Sequence, residues 1–197
     1  MGQILLNYKK QKSRLGDVKS HLAELLFIDV FKLAFIDTEY AITKQPKDFK
    51  EIYNNVKLTK KELSEIYNPS DISGGIVPDA AITNRRTGKT IYVEIKRQNG
   101  WVEGKPKSAG RGNAHERLCK YFMPGILKRL QKASKITKSE FPIWAVFEGD
   151  ITRDPIHVRE ITCWFEGHLD NLFFWRKTND AVSLISHFEN HIKPLID

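Results

Sequence analysis

Two short runs of strand-forming residues, GIVPDAAIT (75–83) and KTIYVEIKR (89–97), flank NRRTG (84–88), and this arrangement limits the fold more than any other part of the chain. Asn, Thr and Gly in the connection suit a hairpin, so the two runs are expected to pair antiparallel. FPIWAVFEG (141–149) and LDNLFFWRK (169–177) read as further strands. Helical spacing of Val18, Leu22, Leu25, Ile28 and Leu33 predicts a long helix from Asp17, its cap, to Phe35. Thr59 and Glu62 have the spacing of a capping box at the start of TKKELSEIYN. Asn113 opens a helix that Pro124 kinks or restarts, and Asp154 followed by Pro155 opens another. Val182, Ile185, Phe188 and Ile192 line a closing helix. The expected architecture is mixed α/β: a central sheet built on the antiparallel pair, with helices on its faces, in a single domain over 197 residues.

Such a sheet is a costly place for charge, yet Asp79 follows Pro78 and, fourteen residues later, Glu94-Ile95-Lys96 interrupts an apolar run. Alternation along YVEIKR puts Tyr92, Glu94 and Lys96 on one face and Val93 and Ile95 on the other. If Asp79 lies on the paired strand, two carboxylates and an amine gather at one end of the hairpin. Taking such groups out of water costs roughly several kcal/mol per ion unless they are paired or hold a metal. The plainer alternative is a local Lys96–Glu94 ion pair, with Asp79 serving the turn. The functional reading is a phosphodiesterase centre in which Asp79 and Glu94 hold Mg²⁺, a hard cation that takes few protein carboxylates and completes its shell with water and phosphate. The ion would polarise the scissile phosphate and activate a water, and Lys96 would stabilise transition-state charge or act as base.

Charge supports a polyanionic partner. Thirty-two Lys and Arg against twenty-four Asp and Glu leave a net +8, which attracts nucleic acid at long range. Cys119 and Cys163 are too few for a disulfide framework or a four-ligand zinc site, which fits a reducing compartment. The longest apolar stretch, LAELLFIDVFKLAF, is broken by Asp29 and Lys32, and the N-terminus lacks a signal-peptide pattern, so a cytosolic protein is expected.

Pro78-Asp79 followed by Glu94-Ile95-Lys96 resembles the PD-(D/E)xK nuclease motif. AGRGNAHERLCK (109–120) resembles the recognition segment of the EcoRI/MunI group of Type II restriction endonucleases, whose shared pattern is Gly-Asn-Ala-x-Glu-Arg. The likeness runs from about residue 73 to about 165. It implies a restriction-endonuclease-like fold with a central mixed five-stranded sheet flanked by helices, a homodimer, Mg²⁺-dependent cleavage of duplex DNA, and a cognate DNA methyltransferase. It adds the Ile95 main-chain carbonyl to the metal ligands, and implies that Gly112, Asn113, Ala114, His115, Glu116 and Arg117 read an inner AATT, with Lys120 at the DNA. Asn pairs bidentately with adenine, Glu accepts from an exocyclic amine and Arg donates to purine N7, which agrees with that assignment. Arg111 matches the MunI type, and by resemblance reads the outer G of CAATTG, with cleavage after the first C leaving 5′ AATT ends.

Without the upstream motif, the segment also reads as an ordinary capped helix in which Glu116 and Lys120 form an i,i+4 pair, and Trp144 as packing. Two rival functions stay open at this level: a PD-(D/E)xK nuclease for branched or damaged DNA, and a non-catalytic DNA-binding module whose Asp79, Glu94 and Lys96 form only an ion-pair network.

Overall fold

The hairpin expected from residues 75–97 is present in the computed structural model of the chain, which describes residues 2–15, 23–46, 57–66, 76–97, 115–149, 151, 154–177 and 179–197. Its strands are β2 (Ala80–Asn84) and β3 (Thr90–Arg97), paired antiparallel with Ala80 opposite Val93. Gly88, at φ 70°, supplies the left-handed turn residue between them. Its N–H donates to the Asn84 carbonyl at 2.8 Å. β1 (Tyr40–Lys44) adds antiparallel to β2, whereas β4 (Ile143–Glu148) and β5 (Leu172–Trp175) add parallel to β3 and to each other. The described residues therefore form a mixed five-stranded sheet in the order β1-β2-β3-β4-β5.

Period-two alternation sorts this sheet into two cores. Ile91, Val93 and Ile95 of β3 join Trp144 and Val146 of β4 on one face. They pack against α1 (Gln3–Leu15), α2 (Ala23–Ala34) and the C-terminal helices α6 (Ala181–His187) and α7 (Lys193–Ile196). On the other face Tyr92, Ile143, Ala145 and Phe147 meet Leu118 and Tyr121 from a 3₁₀ helix at His115–Phe122. Leu130 of α4 (Pro124–Ser134) and Ile161 of α5 (Pro155–Trp164) complete that layer. With both faces covered, β4 is buried at every position, including Glu148.

Local signals behaved as their chemistry dictates where the chain is described. Thr59 and Glu62 form both halves of the capping box of α3 (Lys60–Glu65). Asp154 accepts the N–H groups of Ile156 and His157 at the start of α5, and Pro124 restarts the chain as α4. Trp144 is a packing residue, fully buried against Phe27, Phe31 and Phe188. The helix expected from Asp17 is found from Ala23 to Ala34; Asp17, Val18 and Leu22 lie outside the described residues, as does the expected cap Asn113. Two details of spacing are corrected. Leu25 and Val182 face solvent, because Phe27, Val30 and Phe31 carry the inner stripe of α2 and Ala181 and Leu184 that of α6. Between α6 and α7 the chain widens into a π turn at Phe188–Ile192, just before Pro194, whose missing N–H an unbroken α-helix would not accommodate. The elements α1 and β1 carried no strong sequence signal, and both owe their place to tertiary packing.

Candidate active site

Register assembles the site. Since Ala80 faces Val93, one step back along the antiparallel pair sets Asp79 beside Glu94. Asp79 is gripped from both neighbouring strands: its Oδ2 accepts the Ile95 N–H at 2.7 Å, and its carbonyl accepts the Gln45 N–H at 3.0 Å. Lys96 Nζ stands 2.6 Å from Glu94 Oε1 and 3.8 Å from Asp79 Oδ2, and donates to the Ile95 carbonyl at 3.4 Å. One ammonium thus lies within 3.8 Å of both carboxylates and of the Ile95 carbonyl that the resemblance adds as a ligand.

Glu94 is only 2% exposed, so its charge needs several partners. Besides Lys96 it receives Lys120 Nζ on Oε1 at 3.1 Å and the Tyr121 hydroxyl on Oε2 at 2.6 Å. Asp79 is less well compensated. Burial, followed by the neighbouring Glu94 charge, pushes its carboxyl up to about 6, against the opposing pull of Lys96 and the Ile95 N–H. Two close carboxylates, one of them raised chiefly by burial, give the site a set of hard oxygen donors. That donor set fits a small divalent cation.

At the adjacent end of β4, Arg97 Nε lies 3.1 Å from Glu148 Oε2, in register with it across the parallel pair. Burial raises the Glu148 carboxyl and Arg97 opposes the rise. Strand alternation sets this Arg97–Glu148 pair on the sheet face opposite Glu94 and Lys96.

The expected recognition residues divide. Arg111, Gly112, Asn113 and Ala114 lie outside the described residues. Glu116 and Arg117 are exposed on the first turn of the 3₁₀ helix. Lys120 turns inward to Glu94. His115 departs most from expectation: it is 1% exposed, hydrogen-bonded through Nε2 to Glu160 Oε2 at 3.0 Å and stacked on Trp164. Its ring is buried between the 3₁₀ helix and α5. Tyr121 was missed because its partner is twenty-seven positions away, and no local pattern encodes such a contact.

No described helix is long and apolar enough to cross a membrane. The sequence matches the family model described as Type II restriction enzyme MunI over residues 1–197. It is 44% identical over 202 residues to the Type II restriction enzyme MunI of Mycoplasma sp, with each chain covered in full. Among solved structures it resembles the crystal structure of MunI restriction endonuclease in complex with cognate DNA, at a TM-score of 0.82 and 40% identity, again over the whole of both chains. The likeness thus extends well beyond the hairpin and the segment after it, through the N-terminal helices and β1. A sheet that sets Asp79 against Glu94 and Lys96, in a chain matched from end to end in this way, belongs to the MunI family of Type II restriction enzymes.

Proposed function

We propose that this protein hydrolyses one phosphodiester bond per strand of duplex DNA at CAATTG, after the first C, leaving 5′ AATT ends. The observation that carries the hydrolytic part is the convergence of Asp79, Glu94 and the Ile95 carbonyl on the Lys96 ammonium, within 3.8 Å in each case. Asp79, Glu94 and the Ile95 carbonyl would hold Mg²⁺, which would favour the charged form of an Asp79 carboxyl that burial and the Glu94 charge now raise. Bound there, the ion supplies Lewis-acid polarisation of the phosphate and a more acidic water.

The chain's own groups do the rest. Lys96, flanked by two carboxylates, is placed to offer its charge to the phosphate oxygens as negative charge builds in the transition state. Tyr121 and Lys120 keep the Glu94 side chain aimed, because a carboxylate with donors on both oxygens has little freedom to rotate. For recognition, Asn113, Glu116 and Arg117 suit an inner AATT with Gly112 and Ala114 permitting close backbone approach, and Arg111 suits the outer guanine. A palindromic site calls for a two-fold dimer presenting one such segment per subunit. An enzyme of this specificity also needs a methyltransferase that protects the same sequence in the host, and a cytoplasmic location beside that DNA.

The test is digestion of a plasmid with mapped CAATTG sites, followed by run-off sequencing of the ends. Cuts confined to those sites, dependent on Mg²⁺ and lost on chelation, are expected. Blunt or scattered ends, or cleavage that prefers branched over linear duplex, would overturn the specificity; intact DNA under all conditions would overturn the chemistry.

A further inference from the structure

His115 poses a problem that DNA cleavage does not solve. Its imidazole is buried 4.1 Å, centroid to centroid, from that of His157, with the rings inclined by 40°. Two imidazoles this close repel each other when both are protonated, and a chain that wanted only packing there has better choices. Each ring also has a carboxylate beside it. His115 Nε2 meets Glu160 Oε2 at 3.0 Å, and His157 Nδ1 meets Asp154 Oδ2 at 3.3 Å. His115 comes from the 3₁₀ helix, while Asp154 caps α5 and His157 and Glu160 lie on it at i,i+3, so the last two share a face.

We propose that His115, His157 and Glu160 form a second cation site, selective for Zn²⁺ or a similar borderline metal over Mg²⁺. One ligand atom from each of the three lies within 4.8 Å of the other two. An ion centred among atoms so spaced is at most about 2.8 Å from any of them, within an ångström of the roughly 2.0–2.2 Å that zinc takes to imidazole nitrogen and carboxylate oxygen. The cation would take the place of the hydrogen bond that now joins His115 and Glu160. Asp154 stands behind the pair, its Oδ2 3.3 Å from His157 Nδ1, and adds a nearby negative charge that favours a cation. Two imidazoles and one carboxylate are a poor set for Mg²⁺, which separates this site chemically from the all-oxygen centre at Asp79 and Glu94. The three ligands leave a fourth position for water on the side where Glu160 reaches solvent.

Such an ion would fasten the first turn of the 3₁₀ helix to α5. Lys120, five residues on and about 10 Å away at the usual 3₁₀ rise, holds Glu94, and residue 115 directly follows the Arg111–Ala114 stretch. The bound metal would thus anchor the base of the recognition segment without entering the hydrolytic reaction.

The experiment is titration of the full-length, chelator-stripped protein with Co²⁺, read by its visible absorption, followed by displacement with Zn²⁺. One Co²⁺ per chain, with the intense band of a four-coordinate nitrogen-containing site and competed by Zn²⁺ but not by millimolar Mg²⁺, is the expected result. His157→Asn and Glu160→Gln each weaken binding by about tenfold or more. Asp79→Asn leaves the band intact. Glu160 is 46% exposed, so its variant keeps the fold even if that of His157 does not. Absence of Co²⁺ uptake, or uptake that survives Glu160→Gln but is lost in Asp79→Asn, would overturn the proposal and leave a purely hydrogen-bonded histidine pair.

Discussion

The Tyr121 hydroxyl donates a 2.6 Å hydrogen bond to Oε2 of Glu94, and its neighbour Lys120 reaches Oε1 of the same carboxylate at 3.1 Å. The helix that begins four residues beyond Arg111 therefore ends on the acidic side chain at the centre of the sheet. Tyr121→Phe keeps the ring in its packing position and removes only the donor. Loss of that orienting bond is expected to lower Mg²⁺-dependent cleavage by about 10–100-fold at limiting metal. Global stability falls by about 1–3 kcal/mol for a buried acceptor left short of a partner. Cleavage rates across a Mg²⁺ series, paired with urea unfolding, check both; wild-type rates at limiting Mg²⁺ would remove Tyr121 from the site.

Asp79 makes the metal-free protein sensitive to pH. Its carboxyl is raised in the folded chain to about 6, above its unfolded value of about 3.9. A raised acid favours the protonated fold, so this contribution to stability is full below about pH 4 and is lost as pH rises through 6. Two units correspond to roughly 2–3 kcal/mol, and Asp79 is only 17% exposed. Asp79→Asn should therefore be the more stable protein by about that amount at pH 8, with the difference vanishing near pH 4. Chemical denaturation at the two pH values decides it. The same variant is expected to lose cleavage while retaining or improving DNA binding, because a neutral amide neither grips a cation nor repels a phosphate.

Glu148 depends on Arg97. Arg97→Ala removes the cation 3.1 Å from a carboxylate that is 7% exposed. The expected loss is about 1–3 kcal/mol at pH 8. It shrinks as pH falls, because the Glu148 carboxyl, already raised by burial, then protonates and no longer needs a counter-charge. Thermal melts of the variant and the parent at pH 5 and 8 test the sign: a loss that grows in acid would contradict it.

Phe31 is fully buried and touches the rings of Phe27, Phe35, Trp144 and Phe188. Phe31→Ala leaves a void beneath the sheet face opposite Glu94 and is expected to cost about 3–5 kcal/mol. Equilibrium unfolding measures this directly, and a loss under about 1 kcal/mol would show that the cluster collapses to fill the space.

On the reading proposed above, Arg111→Ala relaxes selectivity at the outer base pair alone. A bidentate guanine contact is worth about 1–3 kcal/mol of discrimination. Sites with a changed outer pair and intact AATT should then be cut nearly as fast as CAATTG, whereas changes within AATT stay as damaging as before. Competitive digestion of a randomised duplex library reads all six positions at once.

Much of this molecule is legible in short stretches of its sequence because the relevant physics is short-ranged. The hairpin follows from two strand-like runs and a Gly-containing turn, the capping box from Thr59 and Glu62, and the start of α5 from Asp154-Pro155. The sharing of a face by Glu94 and Lys96 follows from the two-residue period of β3. Where helical spacing alone chose the buried face it erred at Leu25 and Val182, since several apolar residues compete for the inner stripe and only the partner surface selects among them.

What the sequence determined by itself was the hairpin and, through its alternation, the pairing of Glu94 with Lys96. Asp79 joined them because two antiparallel strands fix each other's register. Only the tertiary structure decided that Lys120 and Tyr121 turn in to Glu94, that Arg97 meets Glu148, and that His115 is buried against His157 and Glu160. Those contacts join residues that no helical or strand period relates. They exist because the second core packs the 3₁₀ helix between β3 and α5, where desolvation makes each charged or polar group find a partner.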